Sequence, residues 1–104
     1  RKDVERRKQV TFTLLATKIP AGLKDGDLVD IYFFNVPTGG VTDSSVQLLN
    51  SYQKVQIDAV AKAEGQINGE STLTLLIDPG IVGEFLTYLA SSETFLVKGS
   101  QDGQ

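Results

Sequence analysis

Residues 72–89 read TLTLLIDPGIVGEFLTYL and contain the clearest helix start in the chain. Up to Ile77, alternate residues are leucine or isoleucine, which is the period of a β-strand with one buried face. Asp78 then offers a carboxylate to free backbone N–H groups, and Pro79 fits the first helical position, where its missing N–H costs nothing. The predicted elements are a strand at 72–77 and a helix at about 79–90.

The predicted helix carries one apolar stripe. Ile81, Phe85 and Leu89 recur at i, i+4 and i+8, and Val82 and Leu86 widen the stripe. This side of the helix is expected to pack against a sheet. The residues expected to lie outward or at the edge of the stripe are Glu84, Thr87 and Tyr88.

Strand signals recur on both sides of this unit, because runs of valine, isoleucine, leucine, phenylalanine and threonine alternate with turn residues. The further predicted strands are 10–16, 28–35, 46–50, 55–61 and 94–98. Alternation predicts that Val10, Phe12 and Leu14 share one face of their strand. It predicts the same for Val55, Ile57 and Ala59 in another strand. The fold class predicted is mainly β (α+β), a small domain of about six strands with one helix near residues 79–90.

Glycine, aspartate and proline separate these strands. Lys24-Asp25-Gly26-Asp27 is a tight-turn sequence, and Asn35 to Ser45 collects loop residues with little to bury. Gly65 to Gly69, which contains Asn68-Gly69, is typical of a hairpin or loop.

The chain has 104 residues and a mass of 11.3 kDa, which predicts one domain. We place that domain at residues 10–98, after a basic linker or arm at 1–9 and before a frayed tail at 99–104. Residues 1–8 hold five basic and two acidic side chains, whereas the other 96 hold five basic and eleven acidic ones. An acidic body behind a short basic arm disfavours nucleic-acid binding. The arm itself is interpreted as a solvated linker or as a patch for anionic lipid or a partner.

Composition excludes several kinds of chemistry. Histidine, cysteine, methionine and tryptophan are all absent, so nucleophile–histidine pairs, zinc fingers, iron–sulfur clusters and the usual haem ligands are excluded. No glycine spacing matches a phosphate-binding loop, and no apolar run is long enough to span a bilayer. We therefore expect no enzyme activity, no catalytic, cofactor-binding or metal-binding residues, and no cofactor.

The one acidic cluster is Asp25, Asp27 and Asp30. A calcium loop would need further alternating ligands and a closing glutamate, which do not follow Asp30. Acid–base catalysis by Asp27 and Asp30 would require burial that raises one pKa. The interpretation favoured is structural: Asp25 and Asp27 form the turn, and Asp30 lies on an exposed edge.

Tyr32, Phe33 and Phe34 form a run of three aromatic residues that could be a stacking or glycan platform. Consecutive strand residues alternate between faces, so at least one of the three is expected in the core, and packing is favoured for all of them. Tyr52 and Tyr88 are better candidates for a surface role, although half-buried packing is favoured for these two as well.

Residues 21–31, which read AGLKDGDLVDI, resemble a segment of the Flp/Tad pilus assembly family called CpaB or RcpC. Residues 55–61, 72–79, 84–90 and 94–98 are similar, in the same order, to later strands and the helix of that family. Asp25 stands where the family has proline, and Lys98 stands where it has arginine.

This resemblance implies a SAF-like, β-clip domain lying outside the cytoplasmic membrane, periplasmic or at the cell surface. It implies a non-catalytic assembly or binding module of a pilus or secretion apparatus, tethered by an upstream membrane anchor through the basic arm. Its partners would be other apparatus proteins or the cell wall, reached through exposed strand edges and the Pro37–Ser45 loop. The alternative is an accessory SAF-like domain of a carbohydrate-acting enzyme whose chemistry lies elsewhere.

Overall fold

Five antiparallel strands and one helix make up the described part of the chain. The computed structural model describes residues 7–36, 46–61 and 69–99. The strands are β1 (Lys8–Leu15), β2 (Leu28–Phe34), β3 (Leu48–Ala61), β4 (Glu70–Ile77) and β5 (Glu93–Lys98), and the helix is α1 (Val82–Ser91). Short 3-10 turns cover Ala16–Lys18 and Pro79–Ile81. The mainly-β, α+β class predicted from sequence is confirmed.

The strands form one sheet in the order β1-β4-β3-β2-β5, so the 14-residue β3 lies in the middle. Four predicted segments lie wholly or largely outside the described residues: the basic arm, the Pro37–Ser45 loop, the Gly65–Gly69 turn and the C-terminal tail. No helix in the described ranges is long and apolar enough to cross a membrane.

The two strands predicted at 46–50 and 55–61 are largely one strand, β3, so the sheet has five strands within the described ranges. A β-bulge joins them, because Val55 pairs with Val29 whereas Tyr52 pairs with Ile31. At the bulge Lys54 has φ 57°, a left-handed conformation that is rare outside glycine. The polar residues between the two apolar runs thus bend the strand without ending it.

The face predicted for the end of β3 is partly wrong, because a bulge lies there as well. Val55 and Ile57 are buried as expected, but Ala59 is exposed and Val60 packs against the core in its place. The pairing of β3 with β4 shifts between Ile57 and Ala59, so one extra residue reverses the alternation that follows.

The core lies between the inner face of the sheet and α1. Its largest fully buried side chains are Phe33, Phe85, Ile31, Ile57, Leu73, Leu75, Ile77 and Val29. The alternation predicted for β4 is confirmed, and so is that of β1, where Val10 and Leu14 are buried and Phe12 is partly buried.

The 3-10 turn that leads into α1 begins after Asp78, as the capping signal predicted, and Asp78 Oδ1 accepts a hydrogen bond from Gly80 N at 2.9 Å. The α-helix itself begins at Val82. Phe85 is 0% exposed, and Ile81 and Leu89 are partly buried against the core. Leu86 was wrongly included in the stripe, because it is 45% exposed, whereas Tyr88 packs on the core.

The helical repeat explains this error. Successive residues are rotated by about 100°, so residues three and four positions from Phe85 on either side lie within about 60° of it. Leu86, the next residue, points about 100° away and therefore leaves the packed side. The stripe is centred on Phe85 and includes Tyr88, whose ring stacks on Phe33 with centroids 5.3 Å apart.

Replacing Phe85→Ala should lower the free energy of unfolding by about 3–5 kcal/mol, because a fully buried ring is lost and a cavity remains. The matched control, Leu86→Ala on the exposed side of the same helix, should cost well under half of that. Urea unfolding of both variants measures the difference. Equal losses would show that the helix packs through another side.

Candidate functional site

The Lys24–Asp27 turn extends the pairing of β2 with β3. Asp27 Oδ2 accepts from Lys24 N at 2.9 Å, and Asp27 N donates to Lys24 O at 3.1 Å. Gly26, with φ 90°, donates to Ile57 O, and Ile57 N donates to Asp27 O, both at 2.8 Å. The tight turn predicted from the sequence is confirmed, and it is bonded to the central strand.

The other two aspartates of the acidic cluster bond to β3. Asp30 Oδ1 accepts from Lys54 N at 3.0 Å, and Asp25 Oδ1 accepts from Val60 N at 3.0 Å. Both N–H groups lie at or beside a bulge, where the regular ladder of hydrogen bonds is interrupted. Asp30 does not lie on an exposed edge: it is half-buried in β2, which pairs with β3 on one side and β5 on the other.

Each carboxylate of the cluster therefore has its own structural hydrogen bond to the backbone. Within the described residues, no three acidic side chains lie close enough together to hold a metal ion. Asp27 also pairs with Lys98 Nζ at 3.2 Å. The hydrogen bond from Lys24 N and the ammonium of Lys98 lower the pKa of Asp27, so this carboxyl stays charged and is poorly suited to donate a proton near neutral pH.

The aromatic run in β2 divides between the two faces of the sheet, as alternation predicted. Phe33 is fully buried in the core, whereas Tyr32 and Phe34 are half-buried on the outer face, the side of the sheet opposite α1. Phe34 contacts Phe95 of β5 edge to face, with ring centroids 5.7 Å apart. Only two of the three consecutive rings are thus available on one surface.

An open groove of about 520 Å³ lies at this place on the outer face. We call it the apolar groove, and its lining residues are Phe34, Asn35, Val46, Glu93 and Phe95. Val46 is 63% exposed and Phe95 is 39% exposed, and nearby in β5 Val97 is 47% exposed. Large apolar side chains thus line a concave surface that meets solvent.

Polar contacts hold the ends of the strands beside the apolar groove. Asn35 N donates to Gln47 O at 3.1 Å, and Gln47 N donates back to Asn35 Oδ1 at 2.6 Å. On the other side, Lys18 forms an ion pair with Glu93, and its Nζ lies 5.1 Å from the centroid of the Phe95 ring.

Sequence reasoning missed Phe95, Val46 and Val97 as surface residues. The available signal was in residues 95–97, where phenylalanine, leucine and valine follow one another without a polar residue between them. Alternation cannot bury all three, and Phe95 and Val97 are the two that point away from the core and are exposed among the described residues.

Tyr52 and Tyr88, considered for a surface role, pack against the core, so the favoured interpretation of half-buried packing is confirmed. Tyr52 meets Phe33 and Phe85 edge to face, with ring centroids 6.0 and 5.5 Å away. Burial, with a smaller contribution from a hydrogen bond to Glu84, raises the pKa of Tyr52 to about 12.

Comparison of the chain with protein-family models, with curated proteins and with solved structures found no match to any of them. The pilus-family resemblance of the segments quoted above therefore stays a prediction.

The Asp27→Asn variant should be less stable than the wild type at pH 7. The folded pKa of Asp27 lies below its ordinary value of 3.8, so its contribution is complete above that value and is lost as the pH falls through the folded pKa. Urea unfolding from pH 7 down to pH 2.5 should show the gap closing below about pH 4. Glu70→Gln, at an exposed position, controls for net charge, and a gap independent of pH would contradict the prediction.

The wild type should lose stability between pH 10 and pH 12 in part through Tyr52. In the unfolded chain the phenol ionises near 10, whereas in the folded chain it stays neutral up to about 12, so raising the pH favours unfolding. Tyr52→Phe should lack this part of the decline, measured by denaturant unfolding across that range. Tyr32→Phe, on the outer face, is the matched control, and parallel curves for the wild type and Tyr52→Phe would refute the assignment.

Proposed function

We propose that this domain is a non-catalytic protein-binding module that acts outside the cytoplasm in a Flp/Tad-type pilus or secretion apparatus. The observation that carries the binding role is the apolar groove. Its lining side chains stay in contact with water on a sheet face that α1 does not cover, and binding a partner there would remove this surface from water.

The groove suits an apolar partner with few charges. Phe34 and Phe95 present ring surfaces, and buried aromatic anchors dominate the energy of many protein interfaces. The one carboxylate in the lining, Glu93, is paired with Lys18. A partner that places an aliphatic or aromatic side chain over Phe95 would gain most from this surface.

Two features favour binding over catalysis. The chain lacks histidine and cysteine, the most versatile catalytic side chains. In addition, the carboxylates of Asp25, Asp27 and Asp30 accept backbone hydrogen bonds that hold the turn and the bulges together. Protonating one of them would weaken the hydrogen bond that it accepts, because an ionised carboxylate is the stronger acceptor.

The assignment to a pilus or secretion apparatus rests on the resemblance of the ordered segments. Residues 21–31 include the Lys24–Asp27 turn and the start of β2, and residues 72–79 include most of β4 and the helix cap. The similar segments thus coincide with parts that shape the sheet. In this proposal the basic arm links the domain to an upstream membrane anchor, and the domain docks onto another apparatus protein or the cell wall.

A photo-crosslinking residue at position 97 of the full-length protein, in its native cells, tests this function. Val97 is exposed next to Phe95, so the replacement leaves the core intact. The expected result is a crosslink to a pilus, secretion or envelope protein. The matched control is position 13, an exposed threonine on β1, at the opposite edge of the sheet, which should give little of that product.

Crosslinks from position 97 only to cytoplasmic metabolic enzymes would refute the assignment to an extracytoplasmic apparatus. A crosslink to a carbohydrate-acting catalytic domain, in the same polypeptide or bound to it, would favour the accessory-domain alternative. Equal yields of the same envelope protein from positions 97 and 13 would show that the apolar groove is not the binding surface.

A further inference from the structure

Glu93 is the only charged side chain among the described residues that line the apolar groove. In the sheet it stands opposite Phe34 of β2, and it precedes Phe95 by two residues in β5. The three side chains therefore share the outer face of the sheet. A carboxylate alone at this place would make the groove attract cations and repel anions.

Lys18 brings a balancing charge to the groove from a distant part of the chain. The Ala16–Lys18 turn follows β1, at one edge of the sheet, and contacts β5, at the other edge. Ala16 N donates to Gly69 O at 3.1 Å, and Ile19 N donates to Ala16 O at 3.2 Å. Backbone hydrogen bonds thus hold the turn that carries Lys18 to β5.

The ammonium of Lys18 forms an ion pair with Glu93 and lies 5.1 Å from the centre of the Phe95 ring, close enough for a cation–π contact. The side chains of Lys18 and Glu93 are 23% and 42% exposed, so both charges remain accessible beside the groove. A ligand that covers the Phe95 ring comes close to both charges at once. Their effects on the charge of that ligand oppose each other.

We propose that the ion pair between Lys18 and Glu93 sets the charge selectivity of the apolar groove, and that the groove binds an uncharged apolar segment of a partner protein. The selectivity rests on the proposed function, since it describes the partner at the same site. The balance of charge favours this occupant. An uncharged side chain gains contact with Phe34 and Phe95, whereas a charged one gives up solvation and meets attraction and repulsion side by side.

Removing either charge alone should convert the groove into a site that prefers one kind of ion. Lys18→Gln leaves the carboxylate of Glu93 unbalanced, so a cationic ligand is favoured. Glu93→Gln leaves the ammonium of Lys18 beside the Phe95 ring, so an anionic ligand is favoured. The double variant has neither charge and should regain the selectivity of the wild type. A purely structural role of the ion pair would instead weaken the binding of all ligands alike.

Three small probes test this selectivity on the 104-residue chain. Phenylethanol, phenylethylammonium and phenylacetate share an aromatic ring and differ in charge. Titrations followed by amide NMR signals give the affinity of each probe, and shifts at Phe95 and Val97 but not at Thr13 locate the binding in the groove. The wild type should bind the alcohol most tightly and the two ions about equally.

The variants should change the preference between the two ions in opposite directions. Lys18→Gln should bind phenylethylammonium at least about threefold more tightly than phenylacetate, and Glu93→Gln should reverse this preference by a similar factor. Lys18→Gln/Glu93→Gln should again bind both ions about equally. Glu93→Gln and the wild type keep the test decisive if Lys18→Gln does not fold.

Two matched variants control for net charge. Lys98→Gln breaks the ion pair with Asp27 at the other end of β5, and Glu70→Gln removes an exposed carboxylate from β4. Neither should change the preference between the ions. The same order of affinities in the wild type and in both single variants at Lys18 and Glu93 would overturn the proposal.

Two further results would also overturn it: a wild type that separates the two ions as strongly as the single variants do, or one in which no probe shifts the signals of Phe95 and Val97. The crosslink from position 97 in cells decides the proposed function separately. A crosslink to an envelope protein together with unselective probe binding would refute the role of the ion pair alone. Selective probe binding without such a crosslink would refute the assignment to an apparatus alone.

Discussion

A ten-residue helix is the one layer that covers the five-stranded sheet within the described ranges. A single helix lies on one face of a sheet, and α1 packs there through Phe85 and Tyr88 against Phe33 and Tyr52. The opposite face of the sheet is left in contact with water, and the surface properties of the molecule depend on the side chains it carries.

The uncovered face is polar on one half of the sheet and apolar on the other. On β1 and β4 it carries threonines, and Thr11 and Thr74 hydrogen bond through their hydroxyl groups at 3.0 Å. On β2 and β5 it carries Phe34, Phe95 and Val97. The exposed apolar side chains of β2 and β5 lie at or near the apolar groove, where a partner would remove them from water.

Two aspartates outside the central strand complete its hydrogen bonding. A 14-residue strand that follows a curled sheet needs bulges, and each bulge interrupts the ladder of backbone hydrogen bonds. Asp30 and Asp25 accept hydrogen bonds from backbone N–H groups at or beside these places, which avoids the cost of leaving a donor unpaired. The cluster that first suggested calcium thus has a use in folding that needs no ligand.

The sequence alone determined the fold class, the capped turn at Asp78 that leads into the helix, the Lys24–Asp27 turn and the buried faces of β1 and β4. These depend on local properties: side-chain period, capping and turn preference act within a few residues. Tertiary structure decided what local signals cannot express. The bulges of β3, the merging of two predicted strands into β3 and the burial of Tyr88 in place of Leu86 follow from pairing and packing with residues distant in sequence. The apolar groove and the contact of Lys18 with β5 arise for the same reason, since Lys18 and Glu93 are brought together only when the sheet curls.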